Sequence, residues 1–177
     1  MIKFLKNNAI KTDSFLKKYL GKQHKTGLLK AMKYGLLDGG KKIRSSIIIS
    51  TGKLFNLKTK YLINICGAVE CIHSYSLIHD DLPCMDDDKI RRGKPSTHIK
   101  FGESTAVLAG NSLLTLAFEM ITDKNYKINF KSKTELVKEI ALCSGHTGVA
   151  GGQYLDLNFE KKKIFFNQII DMQKKKT

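Results

Sequence analysis

The chain has 177 residues, 42% of them hydrophobic, and a formal charge of +15. That is enough for one domain with a sizeable core, which excludes a disordered chain. The charge is almost all lysine (Arg44, Arg91 and Arg92 are the arginines) and lacks the motifs and basic–aromatic interleaving of a nucleic-acid binder, so it reads as a solvated surface that also attracts anions in a salt-dependent way.

From the N-terminus, Met1 to Leu20 is basic and amphipathic, with apolar residues at Ile2, Leu5, Ala9, Phe15, Leu16 and Tyr19. It lacks a secretory h-region and reads as a first helix packed on the body. Gly21 to Thr26 is a loop, and Leu28 to Leu37 a helix stopped by Gly39-Gly40. Lys41 to Phe55 carries a β-branched run, but no strand is available to pair with it, so helix is expected. Lys41 and Arg44 are three residues apart and would share a helix face, an anion clamp near a helix N-terminus.

Lys60 to His79 is the most apolar helix, interrupted by small residues at Gly67, Ala68, Ser74 and Ser76. His73 and Asp80 lie about two turns apart on it and point the same way. Tyr75 sits five residues before Asp80, deeper in the same helix. The chain's two prolines, Pro83 and Pro95, both fall in the central loop region, which leaves long Pro-free stretches and an all-α expectation. Gly93 to Gly102 reads as loop, and Glu103 to Thr122 as a largely buried helix with Val107, Leu108, Leu113, Leu114, Leu116 and Phe118. Then come a polar loop to Lys133, a helix from Thr134 to Ser144, a glycine-rich segment from Gly145 to Gly152, and a last helix from Ile164 to Lys176. No strand precedes those glycines, so they are not a dinucleotide loop. No apolar run of transmembrane length is read. Cys66, Cys71, Cys84 and Cys143 show no C-x-x-C spacing and read as reduced thiols of a cytoplasmic protein.

The most informative stretch runs from Ile78 to Gly93. It places five aspartates between Asp80 and Asp88, followed by Arg91-Arg92. Carboxylates so close repel one another unless cations neutralise them. Oxygen-only ligands suit Mg²⁺, which commonly sits between carboxylates and substrate phosphates, and paired arginines suit the remaining phosphate oxygens. Asp80 and Asp86 are six residues apart, too far for one face of an unbroken helix. Pro83 must therefore end or bulge the helix and let Asp86 swing back toward Asp80. His79 has no His or Cys partner at metal spacing.

These residues resemble the first aspartate-rich motif of the short-chain trans-prenyl diphosphate synthases, in the bacterial farnesyl diphosphate synthase form. Asp80, Asp81 and Asp86 take the D-D-x4-D positions, and Arg91, Arg92 and Gly93 take R-R-G. The likeness continues through Gly39-Gly40-Lys41-Lys42-Ile43-Arg44, Glu70 to His73, Gly110-Asn111-Ser112-Leu113, Gly151 to Asp156, and Lys176-Thr177. It departs at one place: the family usually has proline after the clamp arginine, and here Ser45 stands.

The resemblance implies an isoprenoid-synthase-type helical bundle, as a single helical domain over 1–177. It implies Mg²⁺-dependent head-to-tail prenyl transfer from dimethylallyl or geranyl diphosphate to isopentenyl diphosphate, giving farnesyl diphosphate. It assigns Asp80 and Asp86 to the metal, with Arg91, Lys176 and Thr177 at the allylic diphosphate. Lys41, Arg44, His73 and Arg92 go to isopentenyl diphosphate, Gln153 and Asp156 near the substrates, and Tyr75 at the floor of the chain-length pocket. A second aspartate-rich motif, which the family carries in its C-terminal part, does not occur in this sequence. The expectation is therefore an N-terminal portion of the fold, with weak or no turnover alone and apolar surface left uncovered. Nucleic acid and a membrane span are not expected as partners; a homodimer stays open. Two alternatives belong to other classes: an inactive helical partner or remnant of a synthase, and a basic nucleic-acid-binding protein.

Overall fold

The computed structural model describes residues 2–37, 39–160 and 162–176. Thr177, and the expected helix start at Met1, lie outside the described residues. The order is α1 (Ile2–Gly21), α2 (Gly27–Leu36), α3 (Ile43–Leu54), a 3-10 turn (Thr59–Tyr61), α4 (Ile63–Asp80), β1 (Ile90–Arg91), β2 (Lys94–Pro95), α5 (Thr97–Phe101), α6 (Glu103–Thr122), α7 (Phe130–Ser144), α8 (Val149–Phe159) and α9 (Phe166–Lys176). The all-α class expected from the sequence is what forms. Among the described residues the only sheet is the antiparallel β1–β2 pair, Ile90 opposite Pro95 and Arg91 opposite Lys94. That hairpin and the short α5 replace the plain loop expected over Gly93 to Gly102.

The contacts divide the chain into two compact units, 1–129 and 130–177. In the first, α4 packs against α1, α2, α3 and α6. Being covered on most sides, it buries Cys66, Ala68, Cys71, Ile72, Tyr75 and Ile78, which explains an apolar character with no clear polar face. The Thr26 side chain starts α2 by accepting the Leu29 N–H at 3.0 Å. The apolar list expected to seat α1 is only partly right. The fully buried stripe is Asn8, Thr12, Leu16 and Leu20, so half of that seam is polar.

α6 has the bounds expected of it, and by length and composition it could cross a membrane, contrary to the reading that no run approaches that length. Its apolar residues pack instead: Leu113, Leu116, Ala117, Met120 and Ile121 are buried, and the helix lies against α2, α4 and α5. Val107 and Leu108, expected in the core, are 38% and 54% exposed. The contact between α4 and α6 depends on glycine. A Cβ on Gly110 would overlap the His79 ring, and one on Gly67 would lie 3.0 Å from Met120 Sδ.

In the second unit α7 begins at Phe130 rather than Thr134, and α8 absorbs Gly151 and Gly152 into its first turn. A Cβ on Gly152 would strike the backbone at Lys175 and Lys176, so this glycine lets α8 and α9 approach closely. Large apolar side chains stay exposed at Phe130, Phe165 and Phe166 here, and at Leu54 and Phe55 in the first unit.

Gly110→Ala gains helix propensity worth about 1 kcal/mol but forces the His79 ring aside. The expected net loss is about 1–2 kcal/mol in urea unfolding; an unchanged midpoint would contradict this packing.

Candidate functional site

The acidic turn is built by the way α4 ends. Pro83 has no N–H to continue the ladder. The Leu82 N–H closes a tighter turn on the His79 carbonyl at 3.1 Å, and the Met85 and Asp87 amides both return to the Leu82 carbonyl, at 2.9 and 3.1 Å. The Asp86 N–H then donates to the Asp80 carbonyl at 2.9 Å. The chain thus folds back over six residues, and Asp86 comes to the turn that carries Asp80, as the Pro83 break implies. Asp80 is half-buried, while Asp86, Asp87 and Asp88 are exposed.

Asp81, the other half of the aspartate pair, is 2% exposed and has a different task. Arg91 Nε donates to its Oδ1 at 2.9 Å, Arg91 Nη2 contacts the same oxygen, and Nη2 also meets Asp88 Oδ2 at 2.8 Å. Burial pushes the Asp81 carboxyl up and the Arg91 hydrogen bond pulls it back. Arg91, expected at a phosphate, is therefore held by Asp81 and Asp88 and fastens the β1–β2 hairpin to the end of α4.

Lys41 and Arg44 do not share a helix face. α3 starts at Ile43, and its N-cap Lys42 is in the left-handed region at φ 47°. Lys41 precedes the helix and is exposed; Arg44 lies in the first turn, half-buried. Arg92, also left-handed at φ 54°, reaches the same loop: its Nη1 would be 2.6 Å from a Cβ at position 40, so its guanidinium lies against Gly40. His73 faces these cations from α4. Burial pushes its imidazole down to about 4, helped by the positive charges of Arg44, then Arg92, Lys42 and Arg91. The structure thus brings Arg44, His73 and Arg92 together beside the Gly39–Lys41 loop.

Tyr34 was not singled out by its sequence. Its hydroxyl donates to the Pro95 carbonyl at 2.7 Å, and the Lys100 ammonium lies 4.1 Å over its ring. It ties the hairpin that carries Arg91 and Arg92 to α2; an isolated aromatic in an amphipathic helix gives no signal of such a role. A small cavity lies there, lined by Tyr34, Ser74, Asp81, Arg91 and Arg92 among others.

Tyr75 is buried and meets the His79 ring edge-on, centroids 5.7 Å apart. His79 Nε2–H donates to the Val107 carbonyl at 3.0 Å, which accounts for this histidine without a metal. In the second unit Lys176 pairs with Asp156, and Gln153 is buried. Burial pushes the Cys66 thiol up to about 12, and that of Cys71 up as well. Among the described residues no three or more His, Cys, Asp or Glu side chains gather into a metal site. Two oxygen-only carboxylates on one folded turn fit a cation completed by phosphate oxygens, the usual habit of Mg²⁺.

The sequence pattern of the polyprenyl synthetases matches residues 25–177. The chain belongs to the polyprenyl synthetase family. It is 44% identical over 153 residues to the farnesyl diphosphate synthase of Escherichia coli (strain K12), covering 86% of this chain and 51% of that protein. It is 42% identical over 151 residues to that of Bacillus subtilis (strain 168), covering 85% and 51%. The polyprenyl synthetase chain therefore spans about half the length of these curated relatives. Among solved structures, the geranyltransferase of Legionella pneumophila superposes with a TM-score of 0.94 at 32% identity, covering 99% of this chain and 63% of that one. An FPP/GFPP synthase of Zymomonas mobilis gives 0.90 at 36%, covering 100% and 66%. The fold is the helical bundle of the isoprenoid synthases.

With its imidazole held neutral, His73 contributes stability that is present above its ordinary value of 6.5 and is lost as pH falls toward 4. Its NMR titration midpoint is expected near 4, rising when an anion screens Arg44 and Arg92. A midpoint near 6.5 in the free protein would contradict the clustering.

Proposed function

We propose that the chain carries the substrate-binding half of a farnesyl diphosphate synthase, a prenyltransferase that joins isopentenyl diphosphate to dimethylallyl or geranyl diphosphate. The observation that carries this is the opposition of charges in the first unit: an acidic turn at Asp80 and Asp86, and a cationic group of Arg44 and Arg92 around neutral His73. Two diphosphates need two such handles, one through a metal and one through cations. A single domain over 1–177, incomplete against its full-length relatives, is part of the same proposal.

In this reading Asp80 and Asp86 would hold Mg²⁺, which would bind the allylic diphosphate. Bound there, the cation supplies Lewis-acid stabilisation of the departing diphosphate. Lys41, Arg44, His73 and Arg92 hold isopentenyl diphosphate, so that its double bond meets the allylic carbon whose C–O bond breaks. A C–C bond forms and one proton leaves. Arg91 acts on the allylic side while fastened to Asp81. Lys176, paired with Asp156 in the second unit, and Thr177 are assigned to the allylic diphosphate by family likeness alone. Burial keeps His73 neutral, so it serves as a hydrogen-bonding group that gains a proton once anionic oxygens arrive. Tyr75, buried five residues before Asp80, supports a fifteen-carbon limit. Free thiols at all four cysteines support a reducing cytoplasm.

Binding of geranyl diphosphate by calorimetry, with Mg²⁺ and then with EDTA, tests the proposal. Affinity should need Mg²⁺ and fall by about tenfold or more in Asp80→Ala and in Asp86→Ala, the loss of a charged ligand. Affinity indifferent to both the metal and these two carboxylates would refute it.

A further inference from the structure

The cationic loop is held from beneath by a buried group that the assignment of substrate ligands leaves out. α3 has no side-chain cap of its own, because Lys42 at the N-cap makes no capping hydrogen bond. The first amides of a helix still need acceptors, and a carboxylate is favoured at that end. Glu70, from α4, supplies one. The Ser45 N–H and the Ser45 Oγ–H both donate to Glu70 Oε1, at 3.3 and 2.8 Å. The other carboxylate oxygen of Glu70 lies 3.7 Å from Lys42 Nζ. That ammonium also donates to the Leu36 carbonyl at 2.9 Å and lies 3.7 Å from Asp13 Oδ1.

Lys42, Ser45 and Glu70 are 4%, 0% and 2% exposed. In so dry a setting each charge must keep its partner, or the burial becomes costly. Lysine adopts the left-handed conformation only when its surroundings hold it there. The backbone is thus pinned inward at 42 and 45, while Lys41, exposed, and Arg44, half-buried, lie beside those pins. Glu70 also stands one helical turn before His73 on α4. One helix therefore fixes the imidazole and, through Glu70, the start of the loop that brings its cations.

We infer that Glu70, engaged by Ser45 and Lys42, is a positioning residue that sets the Lys41–Arg44 clamp for its diphosphate. The lock belongs to this chain's own sequence. The proline usual after the clamp arginine in the resembling family has neither an N–H nor a hydroxyl to give Glu70, and Ser45 has both. The inference rests on the reading that Lys41 and Arg44 bind isopentenyl diphosphate.

The test measures isopentenyl diphosphate binding in EDTA and geranyl diphosphate binding in Mg²⁺ by calorimetry, and amide hydrogen exchange over residues 39–46. The variants are Ser45→Ala, Ser45→Thr, Glu70→Gln and, as a control, Lys41→Ala. Ser45→Ala and Glu70→Gln should each weaken isopentenyl diphosphate about tenfold, the effect of one lost charge-assisted hydrogen bond. They should also speed exchange at Arg44, Ser45 and Ser46. Ser45→Thr keeps both donors and should bind like the parent, and geranyl diphosphate binding should hold in all three. If Lys41→Ala weakens isopentenyl diphosphate while Ser45→Ala and Glu70→Gln leave affinity and exchange unchanged, this inference alone is overturned. Equal loss of both ligands would also overturn it, since that marks general destabilisation. If the parent chain binds no isopentenyl diphosphate, or Lys41→Ala binds it as tightly, the parent reading falls and takes this inference with it.

Discussion

A helix that cannot run through Pro83 decides the character of this molecule. The amides past the break turn back, and the one at Asp86 finds the Asp80 carbonyl. A six-residue spacing that would put two carboxylates on different faces of a straight helix instead delivers them to one turn. Two carboxylates brought to one turn are the donor set that the proposed Mg²⁺ would need. Asp81, between them in sequence, is withdrawn into the body by Arg91, so the adjacent aspartates divide the work. Asp81 supports the turn, and Asp80 is the one assigned to the metal in the proposed function.

The cationic side follows from a second constraint. The Arg92 guanidinium lies against Gly40, and burial together with the charges of Arg44 and Arg92 lowers the His73 pKa. Burial and the field of these positive charges both disfavour a proton on the ring. An anion placed beside these cations would offset their field on His73, as the proposed diphosphate site requires. The first unit therefore carries an acidic turn at Asp80 and Asp86 and a separate group of cations around His73.

Much of this was legible from residue order. The Pro83 break, the pairing of Asp80 with Asp86, the α6 bounds and the family likeness all follow from local rules, because proline chemistry and helical period act over a few residues. What stayed hidden depends on contacts distant in sequence. Lys41 and Arg44 look like helix neighbours until the buried anchorage of Lys42 is known, since that anchorage forces the left-handed turn and delays α3 to Ile43. The polar seam of α1 at Asn8 and Thr12 is set by what α1 packs on, not by its own pattern. The β1–β2 hairpin is two residues per strand, below any alternation that a sequence can display. Tyr34 holds that hairpin through a hydroxyl and a carbonyl sixty-one positions apart.

The most direct measurement is anomalous diffraction from crystals soaked in Mn²⁺ and inorganic diphosphate, Mn²⁺ standing in for Mg²⁺ as an oxygen-seeking cation. An anomalous peak coordinated by Asp80 and Asp86 and completed by diphosphate oxygens is expected. A peak elsewhere, or none with both carboxylates turned to bulk solvent, would contradict it.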